Sequence, residues 1–223
     1  MIDKAAINKV SSKKSNNRAR ALDTCRKLMN EEGAQAIGTT RLCDELQISP
    51  GNLYYHFKNK EEIVRALFAE LEEAFRAAFA SEPRSSLSPK EFANYYIKTI
   101  DVAYEHRFFF SGLLHLLRQD AVLNAAYLSL QQWALEGLVS VAAQAVKEGH
   151  LNIPNSPKRL RSIALNTWLI WSNWVRYLEI TNSGAPITRG DMMLGIEQIF
   201  DVLSGSLEPG YERAVRRHLK AVH

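Results

Sequence analysis

The stretch TTRLCDELQISPGNLYYHFKNKEE, residues 39–62, decides how the rest of the chain is interpreted. It predicts a short helix, a tight turn, a second short helix and the beginning of a third. In the first helix, Leu42, Cys43 and Leu46 recur at spacings of three and four residues, which is typical of one buried helix face. The pattern therefore predicts a compact pair of helices around a shared apolar interior.

Polar residues mark where these helices begin. Thr39 is expected to cap a helix over 40–47, and Ser49 to cap a second helix over 50–56. Their hydroxyl oxygens can accept backbone N–H groups that the start of a helix leaves without a partner. Pro50 then stands at the first helical position, where its missing N–H costs nothing.

The second helix leaves a polar and aromatic face outward. Leu53 and Phe57 lie four residues apart and are expected to point inward. An asparagine amide can pair with adenine, tyrosine rings can pack on thymine methyl groups or reach phosphates, and no acid lies on this face. The alternative is a generic helical hairpin with some surface aromatics. The outward residues are Gly51, Asn52, Tyr54, Tyr55 and His56.

This stretch resembles the DNA-binding motif of the TetR (AcrR-type) family of bacterial transcriptional regulators. The similarity is most specific over 48–62 and extends weakly back to about Arg18 and forward to about Phe75. One departure is Gln47, where the family usually has glycine in the turn; a left-handed backbone there costs about 1 kcal/mol for glutamine. The matching residues are Thr39, Leu42, Cys43, Ile48, Ser49, Gly51, Leu53, Tyr54, His56, Phe57, Lys60 and Glu61.

The resemblance implies an all-α fold. A three-helix helix-turn-helix DNA-binding domain over 18–63 is followed by a larger helical bundle, 64–223, for ligand binding and dimerisation. A helix-turn-helix places its second helix in the major groove. The residues assigned to DNA binding are Arg18, Thr39, Thr40, Arg41, Ser49, Pro50, Gly51, Asn52, Tyr54, Tyr55, His56 and Lys60. Residues 1–17 are expected to form a flexible basic arm, either solvated or adding phosphate or minor-groove contacts.

Composition indicates a folded protein whose charge is unevenly distributed. Of 223 residues, 46% are hydrophobic and 23% charged, which suits one large or two small domains. The first 60 residues hold 11 Lys and Arg against 6 Asp and Glu, whereas residues 61–223 hold 17 against 18. Positive charge therefore accompanies the helix-turn-helix, as phosphate binding requires.

Several classes of protein are disfavoured. The N-terminus lacks the apolar segment of a signal peptide, and the most apolar stretch, 163–175, is interrupted by polar residues. We therefore expect a soluble cytoplasmic protein. Cys25 and Cys43 are interpreted as small buried hydrophobes, with redox sensing as the alternative. No catalytic residue, metal ligand or cofactor is predicted, because the sequence has no phosphate-binding glycine loop, His-Glu-x-x-His or Cys-x-x-Cys.

The pattern of the remaining sequence predicts helices separated by loops. Asn59 and Glu62 form a capping-box pattern for a long helix that reaches about Ala80, and 81–89 has the composition of a loop. Further helices are expected over 89–105, 108–118, 120–148, 158–180, 191–203 and 209–220. The last of these is basic and could meet an anionic membrane or a partner, although docking onto the protein itself is favoured.

Two of these helices are rich in large apolar residues. The helix over 158–180 is apolar around most of its circumference and must be buried on several sides. Together with 191–203, it would form a four-helix interface in a homodimer, as the resemblance also implies; the alternative is a monomer with ordinary core helices. The residues assigned to the interface are Trp171, Trp174, Val175, Leu178, Met193, Ile196, Ile199, Phe200 and Leu203.

An aromatic-rich region precedes these helices. The resemblance implies a pocket there for a small apolar or aromatic effector, although aromatic residues at helical spacing equally form an ordinary core. The residues assigned to ligand binding are Tyr96, Phe109, His115, Tyr127, Trp133 and Trp168.

The resulting hypothesis is a sequence-specific transcriptional regulator. It would be a dimeric repressor that binds a palindromic operator in double-stranded DNA and is released by a ligand. The alternative is a non-specific, nucleoid-type DNA-binding protein without an effector, whose affinity would be almost wholly electrostatic.

Overall fold

The computed structural model describes the backbone of residues 4–79 and 86–221, with side chains from residue 18 onward. Within these residues the chain forms helices and no β-sheet, and Leu151 and Leu207 form an isolated bridge. The helices are α1 (Lys4–Glu32), α2 (Thr39–Leu46), α3 (Pro50–His56), α4 (Lys60–Phe79), α5 (Pro89–Glu105), α6 (Arg107–Ser111), α7 (Leu113–Gln119), α8 (Ala121–Lys147), α9 (Pro157–Thr181), α10 (Arg189–Leu203) and α11 (Pro209–Lys220). The prediction of an all-α fold is confirmed.

Helix α1 begins earlier than predicted. The expectation of an unstructured arm over 1–17 is wrong for residues 4–17, whose backbone is helical; residues 1–3 lie outside the described part. Neither Gly nor Pro occurs between Lys4 and Glu32, and Lys and Ala favour a helix, so nothing in the sequence ends it before Gly33. Gly33 has a φ of +87°, as expected for the residue after a helix.

Helices α1–α3 form the helix-turn-helix unit. The side chains of Leu22, Cys25 and Met29 from α1 meet Leu42 of α2 and Leu53 of α3 in a shared buried interior. Helices α2 and α3 have only eight and seven residues and cannot bury their apolar faces alone, so packing against α1 stabilises them.

Helix α4 joins this unit to the rest of the protein. Its 20 residues predict a length of about 30 Å, and its buried stripe runs along the whole helix. Leu67 and Phe68 are buried in the first half and Phe75 and Phe79 in the second. The same rigid element therefore packs against both parts. The predicted loop over 81–89 lies outside the described residues as far as Ser85, and Ser88 caps α5.

Helices α5–α11 form the core bundle. The single helix predicted over 108–118 is wrong: it is divided into α6 and α7 at Gly112, where the chain changes direction. Helix α9 packs between α8 and α10, and α11 packs against α5. Tyr211 of α11 donates its hydroxyl to the Leu87 carbonyl at 2.9 Å, so the basic terminal helix docks onto the protein, as favoured from the sequence.

Candidate nucleic-acid interface

The turn between α2 and α3 has the geometry that a helix-turn-helix requires. Gln47 takes the left-handed conformation, with φ 55° and ψ 45°. Its N–H donates to the Asp44 carbonyl at 3.2 Å, and the N–H of Ile48 donates to the Cys43 carbonyl at 3.1 Å. Glutamine thus adopts the backbone that glycine would adopt more cheaply, and these two hydrogen bonds close the end of α2.

The start of α2 corrects one expectation. Gly38, not Thr39, is the N-cap residue, and no side-chain hydrogen bond caps this helix. Thr39 is the first helical residue, and its hydroxyl lies 3.4 Å from the Tyr54 hydroxyl of α3. The two residues therefore lie side by side on one surface.

Helix α3 is held by two buried side chains and capped as predicted. Ser49 Oγ accepts the N–H of Asn52 at 3.3 Å, and Pro50 is the first helical residue. Leu53 and Phe57 are each only 1% exposed, so they fix the rotation of the helix about its axis. The remaining positions of α3 must then face outward.

The outward face of α3 carries the predicted residue types. Tyr54 is 49% exposed and Tyr55 67% exposed, while Gly51 and Asn52 are also exposed and His56 is half-buried. An added Cβ at Gly51 would meet only Ser49 Oγ, at 4.0 Å. Another molecule can therefore approach this backbone closely. A face with an amide, two phenols and no carboxylate suits base edges and phosphates.

The cations assigned to DNA binding differ in what surrounds them. The guanidinium of Arg18 lies 5.0 Å from the Phe57 ring centroid, which holds it beside α3. Arg41 instead forms ion pairs with Glu45 at 2.8 Å and Glu32 at 3.0 Å. Arg18 is therefore the better placed of the two to meet a phosphate. Thr40 is exposed at the start of α2.

Lys60 is less open than expected. Its side chain is half-buried at the start of α4, in a shallow depression lined also by Leu116 and Asp120. Burial lowers the pKa of its ammonium group, and the nearby Cys25 thiol acts in the opposite direction. Burial raises the pKa of Cys25 to about 12, which leaves it a poor nucleophile and fits its interpretation as a small hydrophobe.

The residues assigned to a ligand pocket divide into two groups. Tyr96, Phe109, Tyr127 and Trp168 are buried and Trp133 is half-buried, whereas His115 is exposed on α7 and lies away from that interior. The sequence could not place His115 correctly, because the break at Gly112 changes the direction of the segment. Assigning His115 to the pocket was therefore wrong.

Aromatic rings fill the interior of the core bundle. The Phe75 ring centroid lies 4.8 Å from that of Trp171, 6.3 Å from Trp133 and 6.4 Å from Trp168. Two adjoining cavities, of about 10 and 30 Å³, remain, and both are lined by Tyr96, Leu138 and Thr167. Ligand pockets occupy about 300–1,000 Å³. This interior is closed in the conformation described.

One polar atom in this interior is left without a partner. The indole Nε1 of Trp171 is buried and has no hydrogen-bond acceptor among the described residues. Trp171 lines the smaller cavity together with Thr99 and Thr167, both of which are buried. A buried donor without an acceptor costs about 1–3 kcal/mol, so it marks a place where an acceptor would be favourable.

Most residues assigned to the dimer interface are buried within the protomer. Val175, Leu178 and Phe200 pack inside the core bundle, as do the other assigned residues except Trp174, which is half-buried. The Trp174 indole donates to the Asp191 carbonyl at 2.9 Å, and its ring lies over Gly195, where an added Cβ would come within 2.7 Å. This residue assignment therefore needs correction, because these side chains join α9 to α10 within one chain.

A different set of apolar residues is exposed on the same two helices. They form a stripe, called here the α9–α10 stripe, that consists of Leu165, Leu169, Tyr177, Ile180, Leu194 and Val202. Ile180 is 75% exposed. A groove of about 690 Å³ between α8 and α9 adjoins it at Leu165. The available signal was that Leu169 follows Leu165 by four residues and Tyr177 follows Leu169 by eight, but the tryptophans of the same helix obscured it.

Across the described residues, no helix is both long and apolar enough to cross a membrane. A search of the same residues finds no group of three His, Cys, Asp or Glu side chains positioned to hold a metal ion.

The comparisons with known proteins agree on one family of transcriptional regulators. Residues 21–67 match the bacterial regulatory proteins of the tetR family, and residues 59–215 match TetR, described as a bacterial transcriptional repressor. The HTH-type transcriptional regulator UidR of Escherichia coli (strain K12) is 30% identical over 83 residues. That match covers 37% of this chain and 40% of UidR, so it spans less than half of the relative.

Solved structures extend the similarity over nearly the whole chain. A TetR-family transcriptional regulator from Marinobacter aquaeolei VT8 is 26% identical, with a TM-score of 0.82 over 92% of this chain and 97% of that one. The ketosteroid transcriptional regulator KstR2 of Mycobacterium tuberculosis has a TM-score of 0.62 at 20% identity, over 86% and 95% of the two chains, which bears on the fold alone. The two family matches together span most of the chain, and it belongs to the TetR family of bacterial transcriptional regulators, which act on transcription and not as enzymes.

Proposed function

We propose that the protein is a dimeric repressor whose two α3 helices read an inverted-repeat operator and which a small, largely apolar effector releases. The outward face of α3 carries this proposal. It combines an exposed asparagine and two exposed tyrosines on a helix whose rotation is fixed by Leu53 and Phe57. Such a face suits the major groove, where an amide can pair with adenine and rings can contact thymine methyl groups.

The α9–α10 stripe supports the dimer. Single exposed apolar residues are normal on a protein surface, but six on two adjacent helices offer an apolar surface that a second copy would cover. Two-fold symmetry would present two α3 helices about 34 Å apart, one turn of B-DNA. One helix of seven residues makes few base contacts, so pairing doubles what is read.

The lining of the aromatic interior supports an effector that is largely apolar and carries a hydrogen-bond acceptor. Its walls are rings, and its free polar group is the indole N–H of Trp171. A flat, mostly apolar molecule with one hydrogen-bond acceptor fits these walls, and to reach Trp171 it would have to separate the rings because the cavity that Trp171 lines is small. Filling the interior would move Phe75 in the second half of α4 and, through this rigid helix, the helix-turn-helix unit.

Fluorescence anisotropy tests the DNA-reading part of the proposal. The probes are DNA from upstream of the protein's own gene and a scrambled duplex of equal composition, over a series of salt concentrations. Affinity for the upstream DNA at least about a thousandfold above the control supports an operator-reading regulator. Equal affinities that both fall steeply with salt would favour the alternative, a non-specific nucleoid-type protein, unless selection from random DNA then yields a preferred site.

Lys60 provides a contrast within the same assay. Lys60→Ala is expected to weaken binding to all sequences alike and to lower the salt slope by about one, if its ammonium group turns from its half-buried position to a phosphate. A change in base preference on Lys60→Ala would show that its role has been misassigned.

A further inference from the structure

One side chain of the helix-turn-helix unit makes two hydrogen bonds to the backbone of the core bundle. Asn30 lies in the last turn of α1 and is half-buried. Its Nδ2 donates to the Glu105 carbonyl at 2.8 Å, and its Oδ1 accepts the N–H of Phe108 at 2.9 Å. This pair of hydrogen bonds is called the Asn30 bridge here.

The Asn30 bridge occupies the break between two helices. Glu105 is the last residue of α5, so its carbonyl is one of those left open at a helix end. Phe108 is in the first turn of α6, so its N–H is one of those left open at a helix start. One carboxamide, with a donor and an acceptor, therefore satisfies both helix ends at once.

Only an amide of this length supplies both contacts. A leucine at position 30 would keep the approximate shape but leave the Glu105 carbonyl and the Phe108 N–H without these partners. An aspartate would still accept from Phe108 but could not donate to Glu105. The neighbouring ion pair between Arg26 and Glu105, at 3.5 Å on a largely exposed carboxylate, adds a weaker and less directional link.

Helix α6 connects the Asn30 bridge to the aromatic interior. Phe108, Phe109 and Phe110 are all buried. The ring of Phe109 lies 5.1 Å from Phe68 of α4, and the ring of Phe110 lies 5.0 Å from Trp171. This five-residue helix thus touches the wall of the closed cavity at one side and α1 at the other.

We propose that Asn30 is a positioning residue that fixes the orientation of the helix-turn-helix unit on the core bundle in the DNA-binding state. This inference rests on the proposed function. Helix α4 is the covalent connection between the two parts, and α1 also packs against α6. The Asn30 bridge adds two directional hydrogen bonds that fix the orientation of this contact. The bridge is formed in a conformation whose interior is closed, and we assign this conformation to the state that binds the operator. An effector that displaces Trp171 and Phe110 would shift α6 and break the bridge.

The test compares two variants of the full-length protein with matched controls. Asn30→Asp keeps one of the two hydrogen bonds, and Asn30→Leu keeps neither. Gln35→Glu and Gln35→Leu make similar changes at an exposed position in the next turn of the same unit. Affinity for the upstream DNA is measured by anisotropy, and exchange of the Phe108 amide hydrogen is measured by NMR.

The expected result is a graded loss of operator affinity. Operator affinity falls severalfold for Asn30→Asp and about tenfold or more for Asn30→Leu, while the Gln35 variants match the wild type. Relative preference among single-base changes in the operator stays the same, because α3 is untouched. In Asn30→Leu the Phe108 amide exchanges at least tenfold faster, whereas in Asn30→Asp it keeps its acceptor and exchanges nearly as in the wild type; the amides of α3 exchange as before in both. A general loss of folding would change all of these together.

Three outcomes would count against the inference, and one separates it from the proposed function. Unchanged operator affinity in both variants, with faster Phe108 exchange in Asn30→Leu, would show that the bridge does not position the unit. Unchanged Phe108 exchange in Asn30→Leu would show that the bridge does not protect that amide. If Asn30→Leu does not fold, Asn30→Asp decides, and wild-type affinity in it overturns the proposal. A wild-type protein without sequence preference would instead overturn the proposed function.

Discussion

The outward face of α3 and the interior of the core bundle use similar residues in opposite ways. On α3, two tyrosines are exposed because Leu53 and Phe57 hold the opposite side of the helix. In the core bundle, tyrosines and tryptophans line a cavity of only about 10 Å³. In the proposed function, the first region binds DNA as it stands, whereas the second must open to admit an effector. The proposed recognition of DNA is therefore preorganised, and the proposed recognition of an effector requires rearrangement.

The largest expected effect tests whether the α3 face depends on its buried support. Phe57→Ala removes a ring that is 1% exposed, so we expect the free energy of unfolding to fall by about 3–5 kcal/mol. Urea unfolding followed by circular dichroism measures this change. Tyr55→Ala, on the exposed side of the same helix, is the control and should change stability by less than about 0.5 kcal/mol. Similar losses in both would contradict the assigned rotation of α3.

The second-largest expected effect tests whether the exposed side of α3 contacts bases. Tyr54→Ala and Asn52→Ala should each cost about 1–3 kcal/mol of operator binding and relax base preference at one position. Anisotropy against a panel of single-base variants of the operator measures both quantities. Tyr54→Phe separates the ring from its hydroxyl, which lies 3.4 Å from the Thr39 hydroxyl. If each loss were equal for operator and scrambled DNA, these residues would contact phosphates and not bases.

A third effect comes from the core bundle and depends on pH. Burial lowers the pKa of His106 to about 4, and its Nε2 has no partner among the described residues. The unfolded chain takes up this proton below about pH 6.5, whereas the folded chain stays neutral until about pH 4. Stability present at pH 7 is therefore lost as the pH falls through this window, by about 2 kcal/mol at pH 5.

His106→Gln is the comparison for that pH dependence. Urea unfolding is measured at pH 7 and pH 5. Between these pH values the free energy of unfolding should fall less in the variant than in the wild type. Whatever the substitution costs at pH 7, the difference between the two pH values is the quantity of interest. Equal pH dependence in both proteins would mean that His106 is hydrated or protonated in the folded state.

The smallest expected effect tests the chemistry of the closed interior. The wild type should bind 9-fluorenone about fivefold tighter than fluorene, because the ketone oxygen can accept from Trp171 and a neutral hydrogen bond is worth about 1 kcal/mol. Trp171→Phe should bind both equally, as measured by quenching of tryptophan fluorescence. Trp174→Phe is the matched control, since the Trp174 indole already donates to Asp191. A preference that survives in Trp171→Phe would exclude Trp171 as the donor.

Local signals predicted the helix-turn-helix unit closely. The bounds of α3, its Ser49 cap and the positions of Leu53 and Phe57 agree with the structure, because they depend on neighbours within four residues along the chain. The error at Thr39 is small and of the same local kind, since Gly38 and Thr39 compete for one cap position. Which outward residues contact DNA remains a prediction.

Longer-range features were predicted less well. The sequence showed that α9 is apolar around most of its surface, but it could not show which side packs against α8 and α10. The interface assignment followed the tryptophans and therefore named residues that are buried within the protomer. It did not include the exposed residues of the α9–α10 stripe. His115 was misplaced for a related reason, because a single glycine redirects the chain between α6 and α7.

The sequence by itself predicted the helical fold and the exposed face of α3, because both depend on spacings of three and four residues, and its resemblance over 48–62 predicted the family. Only the tertiary structure decided that the aromatic interior is closed, that the Trp171 N–H has no acceptor among the described residues and that Asn30 joins two helix ends. Nothing near Asn30 in the sequence signals its role, since its partners, Glu105 and Phe108, are more than 70 residues away. Contacts at such separations arise only when the helices pack, so periodicity along one helix cannot report them.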